Sequence, residues 1–159
     1  MKSKIDVSFV FCDYSNDYHC RMLAALINEY IADPMGGGSA LSLREQLHVV
    51  DGLATHPACL VLFAISADEI IGMVVGFINF STFKAKKYLN IHDVIVKKSY
   101  RECGVGRALL EKCISISQER KYCKLTLEVR SDNTSAQVLY KSLGFNESSP
   151  SMHFWSKIF

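Results

Sequence analysis

The sequence predicts a mixed α/β domain: a central mixed, mostly antiparallel sheet flanked by helices. Three observations predict it. Two stretches with helical spacing come first, three closely spaced apolar runs follow, and helix and strand patterns then alternate to the end. No repeat, low-complexity tract or linker interrupts the 159 residues, so one domain over residues 1–159 is expected.

Each element rests on a local signal. Val7 to Cys12 reads as a first strand, and Tyr14 to Ile31 as a helix because Tyr18, Met22, Leu26 and Tyr30 recur every four residues. Asp33-Pro34-Met35-Gly36-Gly37-Gly38 stops that helix. A second helix starts after Ser42, which makes a capping-box pattern with Glu45 ahead of Leu43, Leu47 and Val50, and ends before His56-Pro57. Ala58 to Ser66, Ile70 to Phe80 and Tyr88 to Val96 are rich in Val, Ile and Phe and read as an antiparallel meander. Val105 to Arg120 is a helix with Val105, Leu109, Cys113 and Ile116 on one side. A strand from Lys124 to Val129 follows, then a helix from Asn133 to Leu143 closed by Gly144. The helix after the fourth strand implies a parallel neighbour for it. Phe145 to Glu147 and Met152 to Ile158 are expected as two closing strands.

Composition narrows the function classes. A formal charge of +2 gives no chain-wide signal for nucleic acid or an anionic membrane, although a local basic patch is compatible with it. Met1-Lys2-Ser3-Lys4-Ile5-Asp6 lacks the apolar core of a leader, and the apolar runs near Ala58 to Ile65 and Ile70 to Ile78 are too short or interrupted to span a bilayer. Cys12, Cys20, Cys59, Cys103, Cys113 and Cys123 form no CxxC pair. A reduced, cytoplasmic protein is expected. His19, His48, His56, His92 and His153 show no metal-ligand spacing, and no metal is expected.

The most informative segment is Lys97-Lys98-Ser99-Tyr100-Arg101-Glu102-Cys103-Gly104-Val105-Gly106-Arg107, between a strand and a helix. Glycine at 104 and 106 lets the backbone approach a ligand, and the first-turn N–H groups with the helix dipole favour an anion. Arg101, Arg107, Lys97 and Lys98 add positive charge. A P-loop would need Gly-Lys-Ser/Thr, where the chain has Gly106-Arg107-Ala108. A dinucleotide fingerprint would need glycine where it has Leu109.

Arg101, Gly104 and Gly106, with Asn133-Thr134-Ser135-Ala136-Gln137-Val138-Leu139-Tyr140-Lys141-Ser142-Leu143-Gly144-Phe145 downstream, resemble two motifs of the GNAT superfamily of N-acetyltransferases. The resemblance implies acetyl-CoA as donor. It implies that Arg101 and the backbone of Cys103, Gly104, Val105, Gly106 and Arg107 hold its pyrophosphate, and that Val94, Ile95 and Val96 bond its pantetheine arm as an added strand. Asn133 would touch the cofactor, a role compatible with N-capping. Tyr140, two helical turns after Asn133, would protonate the departing thiolate. Homodimerisation is common in the superfamily, and the closing strand could support it.

An amine acceptor must be neutral to attack, so its proton needs an acceptor. Asn90-Ile91-His92-Asp93-Val94-Ile95-Val96 places two titratable residues in an otherwise apolar strand just before the loop. His92 is the candidate general base, directly or through water, and Asp93 would orient it or bind the ammonium. Polyamine-acetylating members of the superfamily carry an acidic pair there, so His92 is a departure. Strict alternation would send the two side chains to opposite faces; a bulge, common in GNAT strands at this place, would bring them together. Asp33 to Ser39 and Ser81-Thr82-Phe83-Lys84 are candidate pocket walls. The expected function is acetyl transfer to a primary amine of a small molecule or peptide. The alternative is a non-catalytic acyl-CoA-binding module. Cys103 lacks a sequence partner that would make it a nucleophile.

Overall fold

The computed structural model describes residues 5–159; Met1 to Lys4, part of the stretch read as lacking a leader core, lie outside the described residues. The elements are β1 (Ser8–Phe11), α1 (Asp17–Ile31), α2 (Leu43–Thr55), β2 (Cys59–Ser66), β3 (Glu69–Ser81), β4 (Lys86–Val96), a 3-10 turn (Lys98–Tyr100), α3 (Val105–Glu119), β5 (Leu125–Leu127) and α4 (Thr134–Ser142). The sheet order is β1-β2-β3-β4-β5. Three antiparallel pairings end in one parallel pairing, in which Leu89, Asn90 and Ile91 of β4 face Leu125, Thr126 and Leu127 of β5. That parallel pair needs a long crossover, and α3 supplies it.

Local chemistry sets the helix boundaries. α1 starts at Asp17 rather than Tyr14 because the Asn16 side chain accepts the N–H groups of Tyr18 and His19. Asp13 meanwhile holds Ser15 in a tight turn through both its N–H and its hydroxyl. The expected capping box of α2 is present in both directions between Ser42 and Glu45. β3 and β4 extend past their apolar runs into a polar hairpin end, where Ser81 pairs with Lys86 and Phe80 with Lys87. β5 is shorter than its apolar pattern.

Two apolar layers sandwich the sheet. Leu23 and Leu26 of α1 pack with Val61, Phe63, Ile70, Met73, Val75 and Ile95 on one face. On the other face, strand alternation presents Gly72 and Val74, and Val105 and Leu109 of α3 lie against Gly72. A β-carbon at Gly72 would stand 2.9 Å from Ile95 O and 3.3 Å from both Val105 Cγ1 and Leu109 Cδ1, so glycine sets how closely the start of α3 approaches the sheet.

The chain forms two units. Residues up to Glu128 hold all five strands and α1 to α3; Val129–Phe159 holds α4. The two closing strands expected at Phe145 to Glu147 and Met152 to Ile158 are not strands. Alternating apolar residues make a strand only where a neighbour completes the ladder, and none pairs with these segments among the described residues. Met152, Phe154, Trp155 and Ile158 are exposed.

Candidate active site

β4 carries the site because its two ends are treated differently. Its pairing with β5 stops at Ile91, so among the described residues no strand pairs with Asp93 to Val96 on that edge. On the other edge Val94, Ile95 and Val96 face Val74, Met73 and Gly72. Lys97 N–H donates to Ile71 O, which by strand alternation turns the N–H groups of Val94 and Val96 away from β3, toward the open edge. An amide-bearing ligand can add there as an extra strand.

The open edge runs directly into the α3 N-terminus. Glu102 (φ 65) and Gly104 (φ 85) are left-handed, and this reversal turns the chain into the helix. The first intrahelical bond joins Ala108 N–H to Gly104 O, so the N–H groups of Val105, Gly106 and Arg107 precede the α3 ladder. With the helix dipole they form an anion-binding end. Cys103 and Val105 are buried beneath this turn, while Gly104 is exposed.

Of the four cations around the turn, Lys97, Arg101 and Arg107 face carboxylates, and Lys98 is exposed. Lys97 Nζ pairs with Glu69 Oε1 at 2.6 Å, and the Tyr100 hydroxyl donates to Glu69 Oε2 at 2.6 Å. Those two bonds, Lys97 first, hold the Glu69 carboxyl below its ordinary range, and the hydrogen bond to Glu69 pushes the Tyr100 phenol up. Arg101 donates through Nη1 to Asp33 Oδ2 at 3.0 Å and through Nε to Val96 O at 3.2 Å. The Met35 N–H and the Arg101 guanidinium hold the Asp33 carboxyl below the usual range. Arg107 lies 3.7 Å from Glu111 one turn along the helix. Asp33 was expected only as part of the helix stop and of a candidate pocket wall, and Glu69 was not singled out; their ion-pair roles escape any local pattern because the partners lie 68 residues from Asp33 and 28 and 31 from Glu69.

The expected bulge is present. Asp93 faces Val75 and Ile91 faces the adjacent Gly76, so His92 is the extra residue on β4. It breaks the alternation and brings His92 Nδ1 to 3.2 Å from Asp93 Oδ2. A neutral imidazole that donates from Nδ1 to this carboxylate would leave the Nε2 lone pair free. The His92 side chain is 64% exposed and that of Asp93 28%. Phe77 packs edge-on against His92 at 5.7 Å and against His56 at 4.8 Å. His56 Nδ1 accepts Ala58 N–H. The sequence did not single out Phe77 or His56; ring contacts through Phe77 link His56, at the end of α2, to His92 on β4.

In the second unit, Asn133 caps α4 by accepting Ala136 N–H at 3.2 Å. Tyr140 packs edge-on against Phe145 at 6.0 Å, and both Asn133 and Tyr140 are half-buried. Among the thiols, burial pushes Cys113 up to about 12. Burial, with the neighbouring Cys20, Asp13 and Cys59, does the same to Cys12. Among the described residues no group of three His, Cys, Asp or Glu side chains is disposed to hold a metal ion, and no helix is long and apolar enough to cross a membrane.

The site joins an open strand edge to a helix N-terminus that has no side-chain cap. The chain belongs to the acetyltransferase (GNAT) family, whose model matches residues 23–145. It is 46% identical over 57 residues to the [ribosomal protein bS18]-alanine N-acetyltransferase of Escherichia coli K12, a match spanning 36% of this chain and 38% of that protein. It is 26% identical over 146 residues to the bovine (Bos taurus) thialysine N-epsilon-acetyltransferase, covering 87% and 85% of the two chains. An aminoglycoside acetyltransferase from an uncultured soil metagenomic sample, solved with sisomicin, shares the fold with a TM-score of 0.78 at 14% identity, over 96% of this chain and 97% of that one.

Proposed function

We propose that the chain, acting as a single catalytic domain, transfers the acetyl group of acetyl-CoA to an amine of a small molecule or peptide. The observation that carries this reading is the continuity of the open β4 edge with the α3 N-terminus. Val94 and Val96 offer strand-edge groups to the pantetheine amides, and the backbone from Cys103 to Arg107 offers N–H groups to the pyrophosphate. By family resemblance alone, Asn133 and Tyr140 are proposed as further cofactor-contacting residues.

The donor supplies an acetyl thioester. The amine nitrogen forms the new C–N bond as the C–S bond breaks. His92 Nε2 accepts the amine proton, directly or through water, with Asp93 holding Nδ1–H and so the useful tautomer. Tyr140 returns a proton to the departing thiolate. A phenol near pKa 10 does this only when well positioned, because a thiol near 8.5 is the stronger acid. Phe77, beside His92 and His56, supplies an aromatic wall for the acceptor.

The named relatives act on a ribosomal-protein alanine and on thialysine, which supports an amine acceptor and leaves both a peptide and a small molecule in play. The test is acetyl-CoA-dependent thiol release across polyamines, amino acids, aromatic amines, aminoglycosides and lysine or N-terminal-alanine peptides. Turnover with one class is expected. CoA binding with no thiol release across the panel would replace this reading by a non-catalytic acyl-CoA-binding module.

A further inference from the structure

We infer that Asp33 is a positioning residue for donor binding: through Arg101 it braces the pyrophosphate-binding turn and ties it to the segment that follows α1. The inference rests on the donor site proposed above and changes the part Arg101 plays in it. The resemblance makes Arg101 a ligand of the donor. The geometry makes it a strut.

The Asp33 side chain is only 8% exposed, and each of its oxygens is engaged: Oδ1 accepts Met35 N–H at 3.0 Å, and Oδ2 accepts Arg101 Nη1 at 3.0 Å. Its carbonyl accepts Gly36 and Gly37 N–H at 2.8 and 2.9 Å, and Gly38 N–H returns to Ile31 O at 2.9 Å. A β-carbon at Gly36 would stand 1.9 Å from Tyr30 O. The glycine run, which in composition looks like a loose connector, is therefore a closed turn built around one buried carboxylate.

The other end of the brace is just as specific. Arg101 Nε donates to Val96 O, the last carbonyl of the open β4 edge. One planar guanidinium thus joins the Asp33 turn to the strand end, and the main chain of Arg101 continues into the left-handed Glu102 and the α3 N-terminus. With a carboxylate on one nitrogen and a carbonyl on another, the Arg101 charge is balanced and its fork is fixed. Lysine carries its donors on one nitrogen at the end of a flexible stem and lacks the planar fork that fixes both bonds together. Removing Asp33 leaves the guanidinium without its counter-charge and frees it to move.

Calorimetric titration of CoA into the wild type, Asp33→Asn, Arg101→Ala, Arg101→Lys and the Asp33→Asn/Arg101→Ala double variant tests the brace. Asp33→Asn keeps an acceptor for Met35 N–H. Each single variant is expected to weaken CoA about tenfold, the double variant no more than the weaker single, and Arg101→Lys as much as Arg101→Ala. The inference is overturned if Asp33→Asn binds CoA like the wild type, if the two losses multiply, or if Arg101→Lys restores affinity, since charge alone would then suffice. Should Asp33→Asn fail to fold, the comparison of Arg101→Lys with Arg101→Ala decides by itself. A wild type that binds no CoA defeats the proposed function and this inference with it; a wild type that binds CoA with no effect at Asp33 defeats only the inference.

Discussion

Gly72→Ala tests whether the closeness of α3 to the sheet sets the donor site. The added β-carbon meets Ile95 O at 2.9 Å, a backbone atom held in the β3–β4 ladder, and two buried side chains of α3, Val105 and Leu109, at 3.3 Å. The carbonyl contact strains the β3–β4 ladder itself, while the contacts with Val105 and Leu109 are relieved by a shift of α3 away from β3. Overpacking of this kind costs about 1–3 kcal/mol. The loss of a glycine from the unfolded chain offsets about 0.4–1 kcal/mol of that. Mid-range values leave a net destabilisation of about 1.3 kcal/mol, which lowers Tm by about 3–5 °C in a chain of this size. Thermal unfolding by circular dichroism measures it, and CoA titration of the folded variant should show weaker binding because Val105 opens the helix that holds the anion. Gly52→Ala is the control: its β-carbon meets nothing within 4 Å on α2, so Tm should hold or rise. A Gly72→Ala protein with wild-type Tm and CoA affinity would refute the reasoning.

Four further outcomes are expected. Tyr140→Phe should lower kcat about 100-fold with little change in the KM for acetyl-CoA, as loss of a proton donor does; unchanged turnover removes Tyr140 from the acid role. His92→Ala should lower turnover and alter its pH profile, and wild-type rates across about pH 6 to 9 would remove His92 from the base role. Cys103→Ala should keep turnover without ping-pong kinetics, and Cys113, its thiol raised to about 12 by burial, should resist thiol reagents in the native protein; rapid labelling of Cys113 would mean that the α3 face opens.

What was legible in the sequence was whatever depends on neighbours in the chain. The Ser42–Glu45 capping box, the glycine-opened start of α3 and the order of strands all follow from short-range spacing. The bulge at His92 was reached through family resemblance, because a register shift belongs to two strands and only one of them, β4, carries the extra residue. Asp33 was read as part of a helix stop, which it is; its carboxylate acts 68 residues away, at Arg101. The closing strands failed for the opposite reason. Met152 to Ile158 has a strand's alternation, yet a strand is a relation between segments, and no ladder forms there among the described residues.

The same distinction revises how the turn attracts an anion. Counting charges from Lys97 to Arg107 suggests an electrostatic trap of four cations, but three of them face carboxylates, Lys97 at Glu69, Arg101 at Asp33 and Arg107 beside Glu111, while Lys98 is exposed. Paired charges attract a distant anion weakly, and salt screens what is left. Recognition therefore falls mainly to groups that salt bridges cannot neutralise: the N–H groups ahead of the α3 ladder and the dipole behind them. Their direction is fixed by the left-handed Glu102 and Gly104, which Glu69 and Asp33 hold in place from either side through Tyr100, Lys97 and Arg101. The cations in this turn shape the cradle more than they fill it, which is why the conservative change Arg101→Lys is the harsher test of the site than any loss of net charge.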